Sequence, residues 1–137
     1  MARETNQKNP VQGGLSPALA RHGGLSYIEI AAIDPARSAA FYESVVGWNI
    51  DRTDPDRPKF LDQTGHLLGR WRTDRAPARE PGLLPYIYVN RIRDAVERVA
   101  THGGEVVRAP YPEGDLLVAT VRDPAGNLIG LWQKTTG

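Results

Sequence analysis

Hydrophobic and polar residues alternate over residues 25–33, where Ile28, Ile30 and Ala32 fall on one side and Tyr27, Glu29 and Ala31 on the other. A period of two predicts a strand with one covered face and one free face. The period then changes. Asp34 and Pro35 make a good N-cap and first helical residue. Ala36, Ala40, Phe41, Ser44 and Val45 follow as an apolar stripe of helical spacing, and Gly47 suits the left-handed residue that closes a helix. Residues 48–53 predict a second strand, and 58–63 with 66–73 a hairpin around Thr64-Gly65. The charged, Pro-rich stretch 74–82 is a connector.

The same order then returns: a strand over 84–89, a helix over 91–104 closed by the Gly103-Gly104 pair, and strands over 104–110, 114–123 and 127–133. Aligning Tyr27-Ile28-Glu29-Ile30 with Tyr86-Ile87-Tyr88-Val89 offsets the halves by 59 residues, and each half reads βαβββ. The expected organisation is one domain over 25–133, built from modules 25–73 and 83–133. A loose polar tail over 1–24, with one helical turn at 16–21, precedes it, and a short tail over 134–137 follows.

Composition narrows the function classes. A chain of 137 residues is long enough for one domain with a real core, and 40% hydrophobic with 24% charged residues is ordinary soluble composition. A formal net charge of +1 and the lack of a basic stripe argue against nucleic acid as a partner. No apolar run approaches the ~20 residues of a membrane span, and no signal-peptide core precedes the first strand, so a cytoplasmic protein without a membrane partner is expected. The absence of cysteine excludes disulfides, thiolate zinc sites and a Cys nucleophile.

Two stretches carry a resemblance. "IDPARSAAFYESVVGW" (33–48) resembles the Asp-x-x-x-(Ser/Ala)-x-x-Phe-Tyr…Gly-(Trp/Phe) stretch of the vicinal oxygen chelate superfamily, which includes glyoxalase I, bleomycin-resistance proteins and extradiol dioxygenases. "VRDPAGNLIGLWQ" (121–133) resembles that superfamily's Asp-Pro-x-Gly-Asn turn before the last strand. The resemblance covers about residues 25–133. It implies an α+β fold in which two βαβββ modules form an eight-stranded, partly open barrel-like cleft with helices on the outside. It also implies a homodimer in which both subunits wall the cleft. Both motifs have structural explanations as well: Phe41 and Tyr42 anchor the helix, and Asp123, Pro124 and Gly126 are turn residues rather than catalytic ones.

Metal-using members of the superfamily place His, Glu or Gln on these strands. The resemblance puts the corresponding positions at Tyr27, near Leu84 and at Gly130, with His66 nearest the fourth. A phenol with a pKa of about 10 is a poor ligand, and Leu84 and Gly130 offer no donor at all. His22, His66 and His102 form no helical zinc pair. Neither a metal nor another cofactor is expected.

Strand parity then sends Ile28, Ile30, Ile87, Val89, Ile129 and Leu131 to the helices, and Tyr27, Glu29, Tyr86, Tyr88, Leu128, Gly130 and Trp132 to the cleft. With Trp48 and Trp71 added, this predicts an aromatic cup holding one acid, with Gly130 as an empty notch at its centre. Glu29 on such a face would have its pKa raised by desolvation and could serve as a general acid or base. Arg70 and Arg72 are read as outward, solvated edge-strand charges; facing inwards, they would form a carboxylate clamp. The expected function is metal-independent binding of a small, partly aromatic or apolar molecule, such as an antibiotic or metabolite. A pI of about 8.1 and one inward acid suit basic antibiotics of the bleomycin type poorly. The alternative is a metal-free isomerase, cyclase or lyase using Glu29, and a glyoxalase-like or dioxygenase-like metalloenzyme ranks last.

Overall fold

The computed structural model describes residues 17–135. The expected tail therefore falls mostly outside the described residues, as do Thr136 and Gly137. Within the described part, Pro17–Leu19 form a turn and Leu19 is buried, so this end of the tail is docked rather than loose.

The first module comprises β1 (Tyr27–Ala31), α1 (Pro35–Val46), β2 (Asn49–Asp51), β3 (Lys59–Leu61) and β4 (Leu68–Arg72). The second comprises β5 (Tyr86–Tyr88), α2 (Ile92–Thr101), β6 (Glu105–Glu113), β7 (Leu116–Arg122) and β8 (Leu128–Lys134). Each module makes its own four-stranded sheet, in the orders β1-β4-β3-β2 and β5-β8-β7-β6. β1 runs parallel to β4 and β5 parallel to β8; the other pairings are antiparallel. The fold is α+β with two βαβββ modules, and the two sheets do not close into a barrel.

The helix ends follow their sequence signals. Asp34 Oδ1 accepts from the Ala36 and Arg37 amides, and Gly47 takes φ 75° while its N–H donates to the Glu43 carbonyl. α2 has no side-chain cap of its own; Gln133 on β8 accepts from the Ile92 amide at 2.6 Å instead. His102 Nδ1 lies 3.0 Å from the Arg98 carbonyl, where it satisfies a helix end.

The buried stripe of α1 is Ser38, Phe41, Tyr42 and Val45, with Ala39, and not the expected stripe through Ala36, Ala40 and Ser44. The two aromatic rings set the rotation, because burying them removes far more apolar surface than burying alanines. Tyr42 stacks on Trp48 at 4.7 Å between centroids, Trp48 on Phe60 at 4.2 Å, and Trp71 tilts against both Phe60 and Tyr42. Trp48 and Trp71 are only 6% and 4% exposed, so they belong to the core and do not wall a cleft. Strand parity already sends Trp71 this way: it pairs with Ile30, and Ile30 packs on the core. Gly69 is required beside them, since a Cβ there would strike the Ile28 carbonyl and the Phe60 ring.

One polar network joins the modules. Asp123, 2% exposed, accepts on Oδ1 from the amides of Ala125, Gly126 and Asn127. Its Oδ2 accepts from the Tyr42 hydroxyl at 2.8 Å and from Asn127 Nδ2 at 2.9 Å. Asn127 also donates to the Ala31 carbonyl at the end of β1 and accepts from the Ala78 amide in the connector. Burial raises the Tyr42 hydroxyl well above the usual phenol range, and the Asp123 charge and hydrogen bond push it the same way. Tyr42→Phe should therefore cost about 1–3 kcal/mol by urea unfolding, because a buried carboxylate loses a donor. Asp123→Ala should cost more, since it strands three turn amides. A Tyr42→Phe variant as stable as the parent would remove this network from its role.

Candidate functional site

The face of each sheet opposite the helices is open. On β5 and β8, Tyr86 lies opposite Gly130 and Tyr88 opposite Trp132; β7 adds Thr120 beside Gly130 and Val118 beside Trp132. Tyr86 and Tyr88 are 51% and 45% exposed. Tyr88 and Trp132 meet edge to face at 4.7 Å. The expected notch at Gly130 is filled: the Tyr86 ring lies across it, and a Cβ on residue 130 would overlap that ring. The glycine serves to seat an aromatic ring, not to admit a ligand to the backbone. Arg108 and Tyr111 extend this face from β6, with the guanidinium 3.5 Å above the Tyr111 ring centre. Sequence reasoning missed this pair because two register shifts in β6, on either side of Arg108, break the alternation that locates a face.

The face of the first sheet is ionic, not aromatic. β4 is an interior strand, so Arg70 and Arg72 are not edge charges; register places them beside Glu29 and Ala31 on the free face. Tyr27 donates to Glu29 Oε2 at 3.1 Å, Arg72 Nη1 donates to the same oxygen at 3.0 Å, and Arg75 pairs with Oε1 at 2.6 Å. Arg72 also pairs with Asp74 at 2.7 Å. Glu29 is thus no lone acid on an apolar face. Its partial burial acts to raise the pKa, but hydrogen bonds from Tyr27 and Arg72 and the charges of Arg75 and Arg72 outweigh this and lower it. That corrects the expected raised value, and it makes Glu29 a poor proton donor and a weak base near neutral pH. The Tyr27 hydroxyl is shifted up, by burial first and then by its bond to Glu29.

The strand positions that hold metal in the superfamily do not fit a divalent ion. Tyr27 is committed to Glu29, Leu84 has no donor, and Gly130 lies beneath Tyr86. His66 sits in the exposed turn before β4, its amide donating to Asp62. Among the described residues, no three His, Asp or Glu side chains cluster in a way that could hold an ion.

A pocket of about 360 Å³ opens at the end of β4, lined by Pro35, by Asp56, Arg57 and Pro58 from the loop before β3, and by Arg70 to Asp74. Three buried side-chain atoms lack a hydrogen-bond partner among the described residues: Ser38 Oγ, Arg70 Nε and Trp71 Nε1. Such groups cost about 1–3 kcal/mol each when left unmet. The connector after the pocket is clasped to the second module, with Leu128 donating to Ala78 and Arg122 to Arg79.

The family model of the glyoxalase-like domain matches residues 27–132, and the chain belongs to this family, within the glyoxalase/bleomycin-resistance/dioxygenase superfamily. Solved structures share the fold at low identity. TnmS3, an antibiotic-binding protein from Streptomyces sp. CB03234, is 20% identical with a TM-score of 0.62, over 85% of this chain and 98% of its own. A glyoxalase/bleomycin resistance protein/dioxygenase family enzyme from Burkholderia phytofirmans PsJN is 18% identical with a TM-score of 0.61, over 82% and 99%. A glyoxalase family protein from Bacillus cereus is 22% identical with a TM-score of 0.57, over 85% and 95%. No curated protein matches the chain.

The lowered Glu29 pKa gives a pH signature. A carboxylate whose folded pKa lies below its unfolded value stabilises the fold above the unfolded pKa, and the contribution disappears as pH falls through the folded one. Between about pH 5 and pH 3, the urea midpoint of the parent should therefore fall more steeply than that of Glu29→Gln. Parallel profiles would show that the Arg72 and Arg75 pairs add nothing to stability.

Proposed function

We propose that this protein binds a small, partly aromatic or apolar molecule by contact with side chains and without a metal ion. The observation that carries this reading is the aromatic patch on the free sheet face, where Tyr86 and Tyr88 are about half exposed and Tyr88 meets the partly buried Trp132 edge to face. Exposed aromatics packed edge to face offer ring surfaces for stacking, with phenol hydroxyls to orient polar atoms. The donor-poor superfamily positions support the metal-free half of the reading. The likeness to a protein described as antibiotic-binding supports its ligand class. The ionic face of the first sheet supplies a second, polar wall.

A homodimer, with walls from both subunits, completes the reading. Tyr27 on one sheet and Tyr86 and Tyr88 on the other are each about half exposed in a single chain, and association would cover them. A metal-free isomerase, cyclase or lyase is less well supported, because Glu29 is held by three partners and is not poised for proton transfer.

Titrating chelator-treated protein with a panel of planar aromatic antibiotics and metabolites, read by tryptophan fluorescence, tests the reading. Binding should survive chelation, its quenching should vanish in Trp132→Phe, and Tyr88→Ala should weaken it about tenfold. Binding that needs added divalent metal, or that ignores both substitutions, would contradict the proposal.

A further inference from the structure

We propose that Arg108 sets the ligand class of the aromatic face, by receiving the carboxylate of a planar aromatic acid whose rings lie against Trp132 and Tyr88. Register places Tyr111, Val118, Trp132 and Tyr88 in one row across the free face of the second sheet, with Arg108, Thr120 and Gly130 in the next. Arg108 is exposed, and its guanidinium lies 3.5 Å above the Tyr111 ring centre, so its charge stands at the end of the ring row. That separation fits a face-on stack, since an edge-on approach would drive a nitrogen into the ring. The N–H donors of a stacked guanidinium point outward in its own plane, where they match the two oxygens of a carboxylate. The two register shifts of β6 fall on either side of Arg108, and such irregularities re-aim a side chain.

Charge selects an anion at this point. Among the described residues Arg108 forms no ion pair. Glu105 stands opposite Arg122 and Glu113 opposite Leu116, so the acids of β6 sit at its two ends, away from the middle where Arg108 meets Tyr111. The other cations of this face are placed differently: Arg122 donates to the Arg79 and Gly126 carbonyls, and Lys134 ends β8. Strand spacing then sets the size of the ligand. Neighbouring strands lie about 4.8 Å apart, so Tyr111 and Trp132, two strands apart, are separated by about 10 Å at the backbone. Val118 lies between them in the row and is buried, which makes the floor continuous and apolar. A fused two-ring acid lying across this floor is long enough to face Trp132 and Tyr88 with its rings and Arg108 with its carboxylate. The inference rests on the proposed binding function and deepens it, by giving the cargo a charge and the site a residue that reads it.

The experiment titrates the full chain with 2-naphthoate and with its neutral counterpart 2-naphthamide, near neutral pH. The readout is the Trp132 indole signal in nitrogen–proton correlation spectra, assigned with Trp132→Phe. In the parent, 2-naphthoate should bind about tenfold or more tightly than 2-naphthamide. Arg108→Gln should bring the two Kd values together by weakening 2-naphthoate. Arg108→Lys, which keeps the charge but loses the fork, should recover only part of the preference. Equal Kd values in the parent, or a preference that survives Arg108→Gln, would overturn the inference and leave the binding function standing. A Trp132 signal that neither compound moves would remove the binding function itself, and this inference with it.

Discussion

A carboxylate shut away from water fixes how the two halves of this molecule meet. Asp123 would be an expensive buried charge if any of its oxygens were unmet. Five donors meet them: three amides of its own turn, the Asn127 side chain and the Tyr42 hydroxyl from the other module. Tyr42 is also the ring on which Trp48 and Phe41 pack, so the same residue ends the polar network and anchors the aromatic core. Since Asn127 reaches both the end of β1 and the connector, one turn holds four segments together. The network and the rings lie on the helix side of the sheets, which leaves the opposite faces free for other work.

Those faces differ in chemistry. The second sheet offers rings, with Tyr86 seated on a glycine and Tyr88 braced by Trp132. The first offers charge, with Glu29 neutralised by Arg72 and Arg75 while Arg70 keeps an unmet donor. Ring faces of this kind are suited to stacking on flat apolar surface. Three of the four ligand positions that the superfamily resemblance implies carry a phenol, an aliphatic chain and a glycine, with the exposed His66 nearest the fourth.

The fold was legible because its signals are local and repeated. The βαβββ order, the Asp34-Pro35 start and Gly47 end of α1, and the assignment of Ile28, Ile30, Val89, Ile129 and Leu131 to the covered face follow from period and cap chemistry alone. The turn motif also occurs twice, as Asp62-x-x-Gly65 and Asp123-x-x-Gly126, each aspartate accepting from amides of its own turn. The site was less legible because it depends on partners distant in sequence. Parity shows which way Glu29 points but not that Arg75 will reach it. Trp48 looked like a cleft wall because nothing in its own segment reveals that Tyr42 and Phe60 will sandwich it. Gly130 looked empty for the same reason, since the filling ring belongs to another strand. Arg70 and Arg72 were misjudged by strand position, as β4 is inserted between β1 and β3.

The central claim is that these faces grip their cargo without a metal ion. Native mass spectrometry of the protein, purified from a cell lysate without added metal, tests it most directly. The account predicts an assembly of two chains whose mass includes no divalent ion, and which gains mass when an organic small molecule is retained. A near-stoichiometric nickel, zinc, iron or manganese ion on the folded protein would contradict it.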